Sequence, residues 1–209
     1  MGKRIAVLVS GGGTNLQALI DAQNRGELGG GQIVAVISSK YGAYALERAA
    51  KAGIAGYVLP RKEFDSNRAM TVALVDLLKD LQIDLVVLAG CMIIFTEELV
   101  DAYPNAVMNV HPALIPSFCG AGYYGLRVHE EALRYGVKLT GATVHFVSEE
   151  CDGGPIIAQK AVEIREGDTP EVLQRRVMEE AEWKLLPQAV SLFCQDRLCV
   201  DSRIVTIKE

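Results

Sequence analysis

Short apolar runs alternate with amphipathic segments along the first half of the chain. Runs dominated by Val, Ile, Leu and Ala are typical of strands buried in a parallel sheet, and they occur at residues 5–9, 33–37, 56–59, 85–89 and 107–110. Apolar residues that recur every three or four positions predict helices between them, at residues 14–25, 44–52, 70–81 and 97–102. Thr14 or Asn15 is expected to cap the first helix, and Gly26 to end it.

The second half of the chain departs from this alternation. A helix is predicted to start near Leu126, and strands are predicted at residues 143–147 and 156–164. Because Asp-Gly-Gly-Pro between these strands demands a tight turn, we expect the two strands to be antiparallel. Asp168 or Thr169, followed by a proline at the first helical position, opens a last long helix, and a short hairpin follows it.

These elements predict an α/β fold in one domain, residues 1–209. The sheet is expected to be doubly wound, mostly parallel and Rossmann-like, with antiparallel C-terminal strands and a long C-terminal helix. Ligands of such sheets bind at the carboxyl ends of the strands. Three segments that could hold a ligand follow predicted strands in this way, at residues 10–15, 90–96 and 109–112.

Composition narrows the classes of protein to which this chain can belong. The 209 residues are 50% hydrophobic and 22% charged, and the formal charge of −5 with no long basic run argues against a nucleic-acid partner. No apolar run is long enough for a membrane span or a signal peptide, so we expect a cytoplasmic protein without a membrane partner. The five cysteines form no Cys-x-x-Cys pair, which predicts free thiols and no metal site.

The glycine-rich turn after the first strand is a candidate anion site. In the sequence SGGGTNL, glycine permits a close backbone approach, and the following helix start offers free amide groups. Gly13, Thr14 and Asn15 would supply the contacts to a phosphate. The turn matches neither the P-loop pattern nor Gly-x-Gly-x-x-Gly, so a plain tight turn is the alternative.

The segment AVMNVHPALIP carries the clearest candidate for chemistry. Asn109 and His111 lie two residues apart on a predicted strand, so their side chains face the same side. A carboxamide that stabilises an oxyanion beside an imidazole that moves a proton suits acyl transfer. The alternative is a strand end with a hydrogen-bonded Asn and a packed His. His145, inside the strand TVHFV, is predicted to be a satisfied sheet residue rather than a ligand.

The chain resembles one known family over most of its length, from residue 5 to about residue 193. Five segments, in this order along the chain, carry the resemblance: SGGGTNLQAL, LVVLAGCM, NVHPALIPSFCG, TGATVHFV and DGGPIIAQ. They closely resemble the glycinamide ribonucleotide formyltransferases, folate-dependent enzymes of purine (IMP) biosynthesis with a Rossmann-like formyltransferase fold. Asn-x-His-Pro and Asp-Gly-Gly-Pro are shared with other enzymes that use 10-formyltetrahydrofolate, and the glycine-rich turn separates this family from the formyltransferases that act on tRNA.

The resemblance implies a reaction and three catalytic residues. The amine of 5-phosphoribosylglycinamide attacks the formyl group of 10-formyltetrahydrofolate, giving formylglycinamide ribonucleotide and tetrahydrofolate without a metal. Asn109 would stabilise the oxyanion, and His111 would act as general acid or as the cationic partner of the developing charge. Asp152 would raise the pKa of His111, because a nearby carboxylate favours the imidazolium form.

The resemblance also implies binding residues. Gly13, Thr14 and Asn15 match the phosphate turn, and Glu182 matches a glutamate that contacts the ribonucleotide. Compared with the family pattern, this chain has one additional residue just upstream of Glu182. Glu179 or Glu180 is therefore an alternative for a neighbouring role at the ribonucleotide. The folate positions are Asn67, Arg68, Met92, Ile93, Ile94, Phe95, Asn109, Ser148, Glu149, Glu150, Cys151 and Asp152.

Some positions depart from the family pattern. Many members have Arg where this chain has Ile93, and a basic residue at Asn67, so the cation that meets the folate tail is open. His129 matches a family histidine that is expected to support the site without catalysing the reaction. The loop at residues 119–125 is longer than in the shorter members, and its role is open.

Competing functions follow from the same motifs. A 10-formyltetrahydrofolate hydrolase would release formate from the same donor, and a sugar-nucleotide amine formyltransferase would use an aminosugar acceptor. A non-catalytic nucleotide-binding module would bind phosphate at the glycine-rich turn and tolerate substitution of Asn109 and His111. The partners expected are the two small-molecule substrates, and the protein is expected to be a monomer or a homodimer.

Overall fold

A computed structural model describes residues 2–209 of the chain. Its strands are β1 Arg4–Val9, β2 Gln32–Ser38, β3 Ala55–Val58, β4 Leu85–Leu88, β5 Val107–His111, β6 Leu139–Phe146, β7 Ile156–Glu163, β8 Leu198–Asp201 and β9 Ile204–Ile207. Its α-helices are α1 Thr14–Asn24, α2 Tyr44–Lys51, α3 Asn67–Asp80, α4 Glu97–Ala102, α5 Leu126–Tyr135, α6 Pro170–Val177 and α7 Trp183–Cys194. All nine strands join one sheet in the order β3-β2-β1-β4-β5-β6-β7-β9-β8.

The parallel part of the sheet places the candidate site. β1 pairs in parallel with both β2 and β4, and the parallel pairing continues to β3 on one side and β5 on the other. The chain therefore reverses its direction of winding between β1 and β4, and the carboxyl ends of these strands border a crevice. The predicted doubly wound sheet is confirmed.

The antiparallel part of the sheet follows β5. β6 pairs antiparallel with β5 and with β7, and the hairpin of β8 and β9 joins β7 through the pair Ile156 and Ile204. The long C-terminal helix is confirmed, with Thr169 as its cap through a hydrogen bond from the Val172 N–H. A π-helical turn at Met178–Glu182 separates α6 from α7, which the sequence pattern did not predict.

Two apolar cores cover the two faces of the sheet, and β1 contributes to both. Ile5, Val7 and Val9 belong to the core that contains α1 and α7 residues, whereas Ala6 and Leu8 belong to the core that contains α3 residues. Because side chains alternate along a strand, a strand buried on both faces must be apolar at every position. This requirement explains the continuous apolar runs in the sequence.

The start of α1 differs from the prediction. Neither Thr14 nor Asn15 caps the helix, because Gly13 is the cap and no side chain bonds to the first turn. Gly13 has a left-handed φ of 71°, and a Cβ there would lie 2.7 Å from the Cβ of Ala45. The close approach of α2 therefore requires glycine, and both Thr14 and Asn15 lie in the first turn of the helix.

Leu74 provides a test of the packing on α3. Its side chain is 2% exposed in the second core, so Leu74→Ala should lower the free energy of unfolding by about 2–5 kcal/mol. Val72→Ala on the same helix is the matched control, since Val72 is 43% exposed. Urea denaturation of both variants measures the difference. An equally small loss of unfolding free energy in both variants would contradict the assignment of Leu74 to the core.

Candidate active site

A cavity of about 830 Å³ opens at the carboxyl ends of β1, β4 and β5. Three segments that the sequence singled out line it together: residues 11–15, residues 90–96 and residues 109–112. The loop at residues 120–125 and the segment at residues 148–152 complete the wall. The cavity exceeds the size of one small substrate and is within the range of common ligand sites.

Asn15 and Glu182 meet at one end of the cavity. The Asn15 Nδ2 donates a hydrogen bond of 2.7 Å to Glu182 Oε2. Glu182 is only 4% exposed, and its burial raises the pKa of this carboxyl to about 7, although the bond from Asn15 opposes the shift. Glu182 is therefore a carboxyl that changes charge near neutral pH.

Three glutamates lie in the π-helical turn, and one of them faces the cavity. Glu179 accepts a hydrogen bond of 2.7 Å from Arg175, and Glu180 lies 3.9 Å from Arg165, both on the outer side of the helix. Glu182 alone of the three lines the cavity. Glu182, the last residue of the π turn, is therefore the glutamate that a ligand in the cavity can meet.

Asn109 lies opposite His145 in the antiparallel pairing of β5 with β6. His145 Nδ1 is 2.8 Å from the Phe146 carbonyl oxygen, which can only accept, so Nδ1 carries the proton. The other ring nitrogen, Nε2, lies 3.2 Å from Asn109 Nδ2 and 3.6 Å from Asp152 Oδ1. The prediction that His145 is satisfied within the sheet is right about its bonds, but its Nε2 belongs to the site.

His111 lies two residues further along β5 and lines the same cavity. Its Nε2–H donates a hydrogen bond of 2.8 Å to the Phe118 carbonyl, and its Nδ1 lies 3.5 Å from Asp152 Oδ2. Burial of the ring lowers the pKa of His111, and this effect outweighs the carboxylate of Asp152, which acts in the opposite direction. The expected influence of Asp152 is present, but the pKa of His111 is lowered, not raised.

Asp152 connects these groups. Asn109 Nδ2 lies 3.4 Å from its Oδ1, and the backbone N–H of Gly120 donates a bond of 2.9 Å to its Oδ2. Burial would raise the pKa of Asp152, but its contacts with His145, His111 and Gly120 hold the pKa below its usual value. The carboxylate is therefore charged at neutral pH.

His129 lines the cavity from α5 and is fully buried. Neither of its ring nitrogens has a hydrogen-bond partner, and burial lowers its pKa to about 4. A neutral, buried ring is consistent with the expectation that His129 supports the site without catalysing the reaction.

The predicted folate positions divide into two groups. Met92, Ile93, Ile94 and Phe95 line one wall, and Ser148, Glu149, Glu150, Cys151 and Asp152 line the other. The Met92 N–H donates to Ser10 Oγ at 2.9 Å, which fixes the start of the first wall.

Asn67 and Arg68 do not line the cavity. The Asn67 Nδ2 lies 3.4 Å from the carbonyl oxygen of Ile94, and its Oδ1 accepts from Arg61. Arg68 forms an ion pair of 2.5 Å with Glu98. Both residues lie in the first turn of α3, outside the cavity lining.

The described residues 2–209 contain no group of His, Cys, Asp and Glu that could hold a metal ion, and their five cysteines are free. Within the same residues, every helix is too short or too polar to cross a membrane.

His145 is the site residue that the sequence interpretation left out of the reacting group. The only signal in the sequence was a histidine inside a predicted strand, His145 in TVHFV. Only the register, which sets Asn109 directly opposite His145, brings the two side chains together.

Comparisons with known proteins identify the family of this chain. A family model described as formyl transferase matches residues 3–190. The phosphoribosylglycinamide formyltransferase of Haemophilus influenzae is 41% identical over 196 residues, which cover 94% of this chain and 89% of that protein. The crystal structure of glycinamide ribonucleotide transformylase 1 from Symbiobacterium toebii has a TM-score of 0.94 and 42% identity, covering 100% of this chain and 95% of that chain.

A formyltetrahydrofolate deformylase from Pseudomonas syringae pv. tomato is also similar, with a TM-score of 0.88 and 29% identity over 100% of this chain and 67% of that chain. The relatives that match at higher identity and over nearly their whole length are the nucleotide formyltransferases. The chain belongs to the phosphoribosylglycinamide formyltransferase family.

Proposed function

We propose that this chain transfers the formyl group of 10-formyltetrahydrofolate to the amine of 5-phosphoribosylglycinamide, a step of purine biosynthesis. The observation that carries the proposal is the close group of Asn109, His111 and Asp152 inside one large cavity, in which Asp152 lies 3.4 Å from Asn109 Nδ2 and 3.5 Å from His111 Nδ1. This group lies between a glycine-rich turn suited to a phosphate and an apolar wall suited to a pterin. Two substrates can therefore meet at it.

The reaction needs an oxyanion partner and a proton. The glycyl amine attacks the formyl carbon, and the carbonyl oxygen becomes an oxyanion. The attacking nitrogen then loses one proton, and the C–N bond to tetrahydrofolate breaks as the folate nitrogen gains one, so no net proton is consumed. Asn109 Nδ2–H stabilises the oxyanion after exchanging its long 3.4 Å contact with Asp152 for the substrate oxygen. The products are formylglycinamide ribonucleotide and tetrahydrofolate.

His111 supplies the proton or the positive charge. Its Nε2–H is donated to the Phe118 carbonyl, so the substrate oxygen must replace this carbonyl for His111 to act on it. Asp152 stabilises the imidazolium that forms, because its carboxylate faces Nδ1. Metal chemistry is not part of the proposed reaction.

The substrates occupy opposite ends of the cavity in this proposal. Gly13, Thr14 and Asn15 hold the phosphate, and Glu182 meets the ribonucleotide. The pterin contacts the backbone and apolar side chains of residues 92–95 and the segment at residues 148–152. The described residues that line the cavity include no Lys or Arg. Because Ile93 stands where many family members have Arg, the folate has no direct contact with a cation in this cavity. Asn67 and Arg68 can reach only a folate tail that extends beyond the cavity.

The cytoplasmic location and the monomeric or homodimeric state remain predictions. The hydrolase and the sugar-nucleotide amine formyltransferase are less supported, since the relatives at about 40% identity are nucleotide formyltransferases.

An acceptor assay tests the proposed reaction. The protein is mixed with 10-formyltetrahydrofolate alone, with 5-phosphoribosylglycinamide, or with an aminosugar nucleotide, and tetrahydrofolate formation is followed. We expect consumption of the donor only with 5-phosphoribosylglycinamide. Consumption without an acceptor would identify a hydrolase, and consumption with only the aminosugar would identify the other transferase.

Substitution of Asn109 tests the oxyanion role. Loss of one oxyanion donor typically costs about 10²–10³ in rate, so Asn109→Ala should lower kcat by that amount or more. His111→Ala and Asp152→Asn should also reduce kcat clearly. Asn24→Ala, on the exposed end of α1, is the control and should keep normal kcat. A near-normal rate of formyl transfer by His111→Ala would contradict the proposed mechanism.

The raised pKa of Glu182 predicts a pH-dependent stability. The folded protein holds a proton on Glu182 up to about pH 7, whereas an unfolded glutamate loses it near 4.5. The folded state is therefore disfavoured progressively as the pH rises from about 4.5 to about 7. Relative to Glu182→Gln, the wild-type free energy of unfolding should fall by an amount on the order of 3 kcal/mol between pH 4 and pH 8. A constant difference between the two proteins in urea denaturation would contradict the shift.

A further inference from the structure

We propose that Arg48 is a positioning residue for the phosphate group of the nucleotide, acting through the backbone of the glycine-rich turn. The inference rests on the proposed function, because it concerns the same phosphate. Arg48 lies on α2 and is absent from the cavity wall, so it has no direct contact with a substrate in the cavity.

The carbonyl groups of Gly11, Gly12 and Gly13 each accept a hydrogen bond from elsewhere in the protein. The Ala45 N–H donates a bond of 3.1 Å to the Gly11 carbonyl, and Arg48 Nε–H donates one of 2.8 Å to the Gly12 carbonyl. The Gly13 carbonyl accepts from the Gln17 N–H at 2.9 Å, within the first turn of α1. With its carbonyls held in this way, the turn can present N–H groups to an anion.

Arg48 is the only one of these three donors that carries a charge. Its Nη1 also donates a bond of 2.9 Å to Gln17 Oε1, so one guanidinium bridges the turn and α1. A charged donor on the Gly12 carbonyl polarises that peptide group and strengthens the partial positive charge on the N–H at its other end. The orientation and the electrostatics of the turn therefore both depend on this side chain.

The composition of the cavity makes this indirect charge important. Among the described residues, the cavity wall contains no Lys or Arg, while it contains Glu182 and other carboxylates. A phosphate at the turn is thus met by N–H groups and the positive end of α1 rather than by a cation. Arg48, bonded to the far side of the turn, supplies positive charge without entering the cavity.

Packing holds Arg48 in this position. Its Cζ lies 4.9 Å from the ring centroid of Tyr44, and the Nζ of Lys51 lies 5.6 Å from the same ring. A Cβ on Gly13 would clash with Ala45 and would approach Arg48 Cδ to 3.5 Å. α2 and the turn are therefore in direct contact at this point, which leaves little freedom for the guanidinium.

The kinetic experiment compares Arg48→Gln with Lys51→Gln, which removes a charge from the same helix and the same aromatic ring but has no bond to the turn. We expect Arg48→Gln to raise the KM for 5-phosphoribosylglycinamide about tenfold, since a hydrogen bond to a charged group is lost. The KM for 10-formyltetrahydrofolate and the thermal midpoint should stay near wild type. Lys51→Gln should change none of these quantities.

A phosphate-free acceptor and a conservative variant sharpen the test. With the dephosphorylated glycinamide ribonucleoside, wild type and Arg48→Gln should have the same kcat/KM. Arg48→Lys keeps the charge but cannot bond the Gly12 carbonyl and Gln17 in the same fork geometry, so its KM for the nucleotide should fall between the two. Equal losses with both acceptors, or equal increases in KM for nucleotide and folate, would overturn the inference.

Binding of inorganic phosphate separates this inference from the proposed reaction. Titration calorimetry of the wild type and the Arg48→Gln and Lys51→Gln variants needs no catalysis. Weaker phosphate binding by Arg48→Gln alone would support the role of Arg48 even if the acceptor assay failed. Equal phosphate affinity in all three proteins would overturn it while leaving the formyl transfer intact.

Discussion

One carboxylate holds the reacting group together. Asp152 lies between β6 and β7 with a left-handed φ of 55°, a conformation that Asp adopts more readily than most residues. From there it accepts a bond from Gly120 and lies within 3.6 Å of three side chains, Asn109, His111 and His145. Because the carboxylate is largely buried, each of these interactions is stronger than it would be in water, and losing the carboxylate would leave the Gly120 N–H without its partner.

Strand register gives Asp152 its partners. Asn109 and His111 project from the same face of β5, opposite His145 and Thr143 of β6. Met108 and Val110 project from the other face into the core that contains α1 and α7 residues. A slip of one residue would bury Asn109 and His111 in that core and turn Met108 into the cavity, so the apolar residues of β5 enforce the register that the chemistry needs.

The sequence predicted the sheet well because the buried strands are apolar on both faces, which distinguishes them from the amphipathic helices between them. It also predicted Asn109, His111 and the glycine-rich turn, since their spacing along one strand or one turn is local. It could not predict the π turn that contains Glu182, because this depends on how α6 and α7 pack on the sheet. Local spacing does not reveal the role of His145 or the position of Arg48. Both depend on contacts between residues that are more than 30 positions apart, namely Gln17 with Arg48 and Asn109 with His145.

Burial disfavours positive charge on His111 and His129 before the substrates react. Burial lowers the pKa of His111 and lowers that of His129 to about 4, so both rings are neutral at pH 7. An oxyanion that forms beside His111 reverses this balance, because a negative charge at short range favours the imidazolium form. The same low polarity that keeps His111 neutral at rest increases its attraction to the oxyanion. A histidine that gains its charge as the oxyanion develops stabilises the transition state more than the bound substrate, and this difference is what accelerates a reaction.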